Sequence, residues 1–193
     1  VYQGQWFERA RMELHPDLPG GPAILMGLLG AERAPRPAGP RAISLAQPVW
    51  ISSPAIGMDR QLLLSGLGAD GAPQVPKHDV GWYGLSAAPG EGENIVLWGH
   101  VLRFTDAPDI PAPLARLKDL PVGGRITLRN RGGDAFVYVV RQKIWASPDE
   151  VSYIQPRGRE LLTLVSCIGE QVIEDGEVTD MSHRLITIAE PLR

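Results

Sequence analysis

Glycine and proline interrupt this chain so often that long helices have little room: 193 residues hold 22 Gly and 18 Pro. That punctuation favours many short strands joined by turns. Val49–Ser52, Met58–Gly66, Asn94–His100, Arg125–Arg129, Ala135–Ile144, Leu161–Cys167 and Arg184–Ala189 read as strands. Arg131-Gly132-Gly133-Asp134 reads as a hairpin turn. Leu114, Leu117 and Leu120 recur at i, i+3 and i+6, so Pro113–Leu120 reads as one or two helical turns. Ser147–Gly158 reads as a loop with a helical turn in it. Seven or so short strands, few helices and no repeat predict a mainly β fold, a closed or nearly closed barrel.

Residues 1–45 have a different texture. Gln3–Leu14 predicts a short helix with Trp6 and Phe7 on one side, ended by Pro16, Pro19 and the Gly20-Gly21-Pro22 run. Ala31–Pro40 is rich in Ala, Pro and Arg, the composition of a semi-rigid linker. The expected organisation is an N-terminal extension over 1–45, packed on the surface or serving as a stalk or lid, and a β domain over 46–193.

The net charge is only -3, and Lys and Arg are scattered, so no nucleic-acid footprint is expected. No run of eighteen apolar residues occurs; Pro22–Leu29 is too short to span a bilayer. The first residue is Val1 rather than Met, which leaves room for a signal or membrane anchor ahead of it. One cysteine excludes an internal disulfide and a multi-cysteine zinc site. Both a reducing cytosol and an exterior with one free thiol fit that count.

Three strand readings have a reactive residue at one end. Leu161–Cys167 ends in the lone thiol, Asn94–His100 ends in an imidazole, and Arg184–Ala189 begins with a guanidinium. Those are the parts of cysteine-based acyl transfer, because a nearby cation favours the nucleophilic thiolate and an imidazole can carry the proton. If the last two strands pair antiparallel, Cys167 falls beside Arg184. Each residue also has a plainer reading: a small buried hydrophobe, a core or surface histidine, a solvated arginine. Glu170, Glu174, Asp175, Glu177 and Asp180 match no calcium loop and read as a solvated connection. His15, His78, His100 and His183 have no metal-ligand spacing, and the Gly-Gly pairs lack the flanks of a phosphate loop. No cofactor is expected.

Taken in order, these segments resemble the sortases, bacterial surface cysteine transpeptidases. Thr163-Leu164-Val165-Ser166-Cys167 resembles the sortase T-L-x-T-C signature, with Ser166 where threonine is usual. Val80-Gly81-Trp82-Tyr83, Pro89-Gly90-Glu91 and Gly99-His100 resemble the run leading to the sortase histidine, and Arg184-Leu185-Ile186 the R-L-[IV] at the sortase arginine. Cys167 follows His100 by 67 positions and Arg184 follows Cys167 by 17, and the match extends over about 48 to 190. The G-W-Y and P-G-E elements look most like class E, class F and related sortases.

The resemblance implies an eight-stranded β-barrel that cleaves an LPXTG-like sorting signal between Thr and Gly. It implies Cys167 as nucleophile, His100 as acid and base, and Arg184 as the charge stabiliser. Thr163 and Ser166 would support the strand end and the substrate-binding region, and the loop from Ala146 to Gly158 would meet the start of the signal. Implied partners are surface proteins carrying the signal and an amine of a peptidoglycan precursor or a pilin. The implied location is the outer face of the cytoplasmic membrane, held by an anchor outside this chain. Trp98 is bulkier than expected two residues before His100 and predicts a narrowed site, and His183 is a possible competitor for the thiol. The extension has no D-P-[WF]-like lid motif.

Two other readings compete. Ser166-Cys167-Ile168-Gly169 has a faint likeness to the S-x-G-C run of L,D-transpeptidases but lacks the arginine expected after the cysteine, and papain-like peptidases place Cys before His. A non-catalytic peptide-binding module on a sortase fold is the non-enzymatic alternative.

Overall fold

The structure, a computed structural model, describes residues 44–68, 71–174 and 176–192 and three strands among the first 43 residues. It divides into two compact units, Val1–Ala42 and Ile43–Arg193.

In the first unit, β1 (Gln3–Trp6), β2 (Arg11–His15) and β3 (Ala23–Gly27) form a three-stranded antiparallel sheet. The helix expected over Gln3–Leu14 is therefore corrected to two strands. Arg11-Met12-Glu13-Leu14-His15 alternates polar and apolar with period two, a strand pattern, and Gly4 disfavours a helix by about 1 kcal/mol. Phe7 and the Ala31–Pro40 linker lie outside the described residues.

The second unit is a closed barrel of eight strands. They are β4 (Pro48–Ser53), β5 (Met58–Ser65), β6 (Val80–Tyr83), β7 (Asn94–Trp98), β8 (Arg125–Asn130), β9 (Ala135–Ala146), β10 (Leu161–Glu174) and β11 (Glu177–Pro191). Around the wall the order is β4-β5-β6-β7-β10-β11-β9-β8, and β8 pairs again with β4. Closure leaves no free edge in this circuit. Two of its seams are parallel, β5 with β6 and β7 with β10. Leu117–Asp119 and Ser152–Ile154 are single 3-10 turns, within the two segments read as helical turns.

Alternation places the core. Ile126 and Leu128 on β8, Ile95 and Leu97 on β7, and Leu162 and Leu164 on β10 point inward and are fully buried. Leu114, Leu117 and Leu120 plug the same interior from the segment after His100. Burying each such side chain contributes about 2 kcal/mol, before the chain's ordering entropy is subtracted.

Where the sequence predicted a long loop between the last two strands, β10 and β11 instead run on past the barrel as a hairpin whose last pair is Glu174 with Glu177. Its register shifts between Ile168 and Gln171, where Gly169 has φ +97° and a Cβ would collide with the Ser182 hydroxyl.

Candidate active site

Cys167 pairs directly with Arg184 across the antiparallel β10–β11 ladder, so the two side chains leave the same face. That face is the outer one, because Leu162 and Leu164 alternate inward. On the other side of β10, Val165 pairs in parallel with Trp98 of β7. Two residues beyond that pair both chains reach a candidate residue, Cys167 on one and His100 on the other. A turn follows His100, with the Leu114 N–H donating to its carbonyl at 3.0 Å. Three segments distant in sequence thus converge at one end of the barrel.

His100 is half-buried and contacted from two loops. Its ring has a hydrogen bond with the Val75 backbone, which favours the charged form. It meets the Phe104 ring edge-on, with centroids 5.0 Å apart. Phe104 also meets His78 edge-on at 5.6 Å and lies under the Lys77 ammonium at 5.0 Å. Lys77 pairs with Asp106 at 2.5 Å, joining the two loops. Burial pushes the His100 imidazole below its ordinary range, outweighing the Val75 bond, and nearby His78 adds to the shift.

The Cys167 thiol moves the other way. Burial pushes it up, Arg184 draws it down, and Asp180 pushes it up again; the net shift is upward. Burial thus disfavours the charged form of both groups, the thiolate of Cys167 and the imidazolium of His100. The Arg184 guanidinium donates through Nη2 to Asp180 Oδ2 at 2.8 Å and through Nη1 to the Met181 carbonyl at 3.2 Å.

The other residues singled out by sequence take supporting positions. Thr163 is 1% exposed and its hydroxyl donates to Asn94 Oδ1 at 2.8 Å. Ser166 is 3% exposed and points inward, and its hydroxyl, like that of Thr187, has no hydrogen-bond partner among the described residues. Trp98 sits on β7 with its indole directed away from β10. Its indole turns to β6, packs on Tyr83 with centroids 5.1 Å apart, and donates to the Ser65 hydroxyl at 3.0 Å. Ser65 in turn donates to the Gln74 carbonyl. The indole therefore anchors the segment whose next residue, Val75, bonds His100. His183 pairs with Ile168, on the face opposite Cys167, where its ring meets Trp145 and its Nδ1 bonds Ser182. Competition for the thiol is excluded by that parity.

Sequence reasoning missed Glu93 and Asn94. The Asn94 amide donates to the Tyr153 and Gln155 carbonyls, both at 3.0 Å, while the Glu93 carboxylate accepts from the backbone N–H groups of Arg157 at 2.5 Å and Gly158 at 2.8 Å. The two residues hold the loop between β9 and β10. The available sign was their place at the head of an apolar strand, where polar side chains of this type commonly bind backbone.

A closed barrel with a lone thiol at the end of a parallel strand pair, and a cation directly across the next seam, defines a class of thiol-bearing β-barrels. A family model described as Sortase domain matches residues 51–192, and the chain belongs to the sortase family. Among solved structures, sortase C1 of Streptococcus agalactiae is similar at 22% identity and a TM-score of 0.59, over 82% of this chain and 72% of that one. A lid mutant of sortase A from Corynebacterium diphtheriae is similar at 21% and 0.59, over 86% and 75%. Streptococcus pneumoniae sortase C is similar at 17% and 0.58, over 78% and 69%. These structures share the fold. Comparison with curated proteins finds no match.

Proposed function

We propose that the protein is a cysteine transpeptidase that cleaves an LPXTG-like sorting signal between Thr and Gly and transfers the new acyl group to an amine. The observation that carries this reading is the convergence of Cys167, paired with Arg184, and His100 at one end of the barrel. The Cys167 sulfur attacks the threonyl carbonyl as its proton passes to His100. The C–N bond then breaks, and the same proton leaves on the glycine amine. An incoming amine loses its proton to His100 as it displaces sulfur from the thioester, and the thiol is restored. Arg184 stabilises the oxyanion or holds the peptide backbone, a role commonly worth a few kcal/mol in the transition state. Ser166 supports the strand end from the barrel interior, and Thr163 supports it through Asn94.

The loop from Ala146 to Gly158 receives the start of the signal, and the barrel from residue 46 carries the catalysis, with 1–45 as its extension. The acceptor amine belongs to a peptidoglycan precursor or a pilin. The site of action is the outer face of the cytoplasmic membrane, with an anchor outside this chain. Membership of the sortase family supports each of these assignments.

Intact-protein mass spectrometry with L-P-x-T-G and L-A-x-T-G peptides, with and without triglycine, tests the reading. A peptide adduct on Cys167 that triglycine turns into ligated product is expected. Cys167→Ala should form no adduct and keep its melting temperature, because it removes one half-buried thiol. Cleavage surviving in that variant would remove the mechanism. Tight peptide binding to the intact protein with no adduct would make it a binding module.

A further inference from the structure

We propose that Asp180 is a positioning residue for Arg184: its carboxylate holds the guanidinium against the β10–β11 hairpin, and its negative charge offsets the effect of that cation on Cys167. The assignment rests on the reading of Arg184 as the charge stabiliser.

The geometry is unusual for a strand. Residues four apart on an extended strand lie about 13 Å apart at the backbone. Here the hairpin is irregular near Asp180, with register shifts between Ile168 and Gln171 and between Val172 and Ile173. Asp180 Oδ2 accepts from Arg184 Nη2 at 2.8 Å, and the Met181 carbonyl accepts from Nη1 at 3.2 Å. The Met181 N–H donates to Asp180 Oδ1 at 2.7 Å, which orients the carboxylate from its other oxygen. The Ser182 hydroxyl accepts from the Glu170 N–H at 2.9 Å and ties the two limbs together beside the shift. The Arg184 side chain is 22% exposed and that of Asp180 40%, so the pair is only partly screened by water.

The charged groups that act on the thiol are Arg184 and Asp180, and the titratable groups nearest along the neighbouring chain segments are His100 and Glu170. Arg184 and Asp180 lie on β11, His100 lies beyond the end of β7, and exposed Glu170 lies three residues along β10. Arg184 and Asp180 act on Cys167 in opposite senses. A cation that would otherwise activate the thiol is thereby paired with a counter-charge until a peptide arrives with backbone or oxyanion to engage it.

The test uses the whole chain and reads the pH dependence of Cys167 alkylation by iodoacetamide, a neutral reagent. For Asp180→Asn the reaction midpoint should move to lower pH, and Asp180→Glu should restore the original profile. A merely structural role would leave the midpoint in place. Arg184→Gln supplies the second arm. In that background Asp180→Asn should shift the midpoint clearly less; an equal shift would mean that the carboxylate acts on the thiol alone, and would overturn the positioning role. With a cleavable peptide, Asp180→Asn should lower kcat by about fivefold and leave KM within about twofold, the pattern of a group that acts in the transition state. An unchanged midpoint and unchanged kcat in a folded Asp180→Asn protein would overturn the proposal. If no sorting peptide is cleaved by the parent protein, the transpeptidase reading fails, while the alkylation profiles still decide the assignment of Asp180.

Discussion

His100 shows how much a single side chain owes to residues with no chemistry of their own. Phe104 meets its ring, Lys77 and Asp106 fasten the loops on which Phe104 and Val75 sit, and the Val75 backbone takes one ring nitrogen. Phe104→Ala should let water reach the imidazole. Burial is what lowers its pKa, so the variant's value should rise toward the ordinary range, and a larger fraction should be protonated at pH 7. NMR titration of His100 checks the direction, and kcat/KM should fall by about tenfold. An unmoved titration would show that the ring does not shield His100. Cys167, His100 and Arg184 stood out in sequence as candidates because reactive residue types stood at the ends of β-patterned runs. Lys77, Phe104 and Asp106 were not, because their contacts come from loops without periodicity.

Among the elements, the loop between β9 and β10 depends most on side chains outside itself. Asn94 is 2% exposed and uses its amide and carbonyl on Tyr153, Gln155 and Thr163. Asn94→Ala would leave the Thr163 hydroxyl and loop carbonyls unpaired. The expected loss is about 2–3 kcal/mol in urea unfolding, with a raised KM for the signal peptide. Glu93 gives a pH test. Burial alone would raise its carboxyl, but the N–H donors of Arg157, Asn94 and Gly158 together outweigh that and hold it below the ordinary glutamate range. Its contribution is therefore complete above the ordinary glutamate pKa and lost as pH falls through the lowered folded value. The melting-temperature advantage of the parent over Glu93→Gln should be full at pH 7 and vanish in acid. A gap independent of pH would refute the ionic role. The loop's existence was readable from Pro156 and Gly158, but its tether was not, since it joins residues some sixty apart in sequence.

At the scale of the molecule, barrel closure rests on close approaches that composition does not announce. Gly81 is one: a Cβ there would lie 2.6 Å from Trp98 Nε1. Gly81→Ala should cost about 1–3 kcal/mol in denaturant unfolding and alter tryptophan fluorescence as the indole moves off Ser65. Unchanged stability would mean that Trp98 repacks freely. The β texture and seven of the barrel's strands could be read from alternating or continuous apolar runs. β6 could not, because four residues including a glycine give no periodicity, and the count of eight strands followed only from resemblance. Nor did the alternating residues of β2 outweigh, on reading, the apparent helix around them.

The parallel seam between β7 and β10 joins segments that are far apart along the chain, so its pairing follows a long loop closure, and such topologies fold in milliseconds to seconds. His100 and Cys167 sit just beyond that seam. The chain therefore carries its own clock: in a refolding experiment, return of peptide cleavage should lag behind return of β-sheet signal, and the delay between them would time the moment the cylinder zips shut.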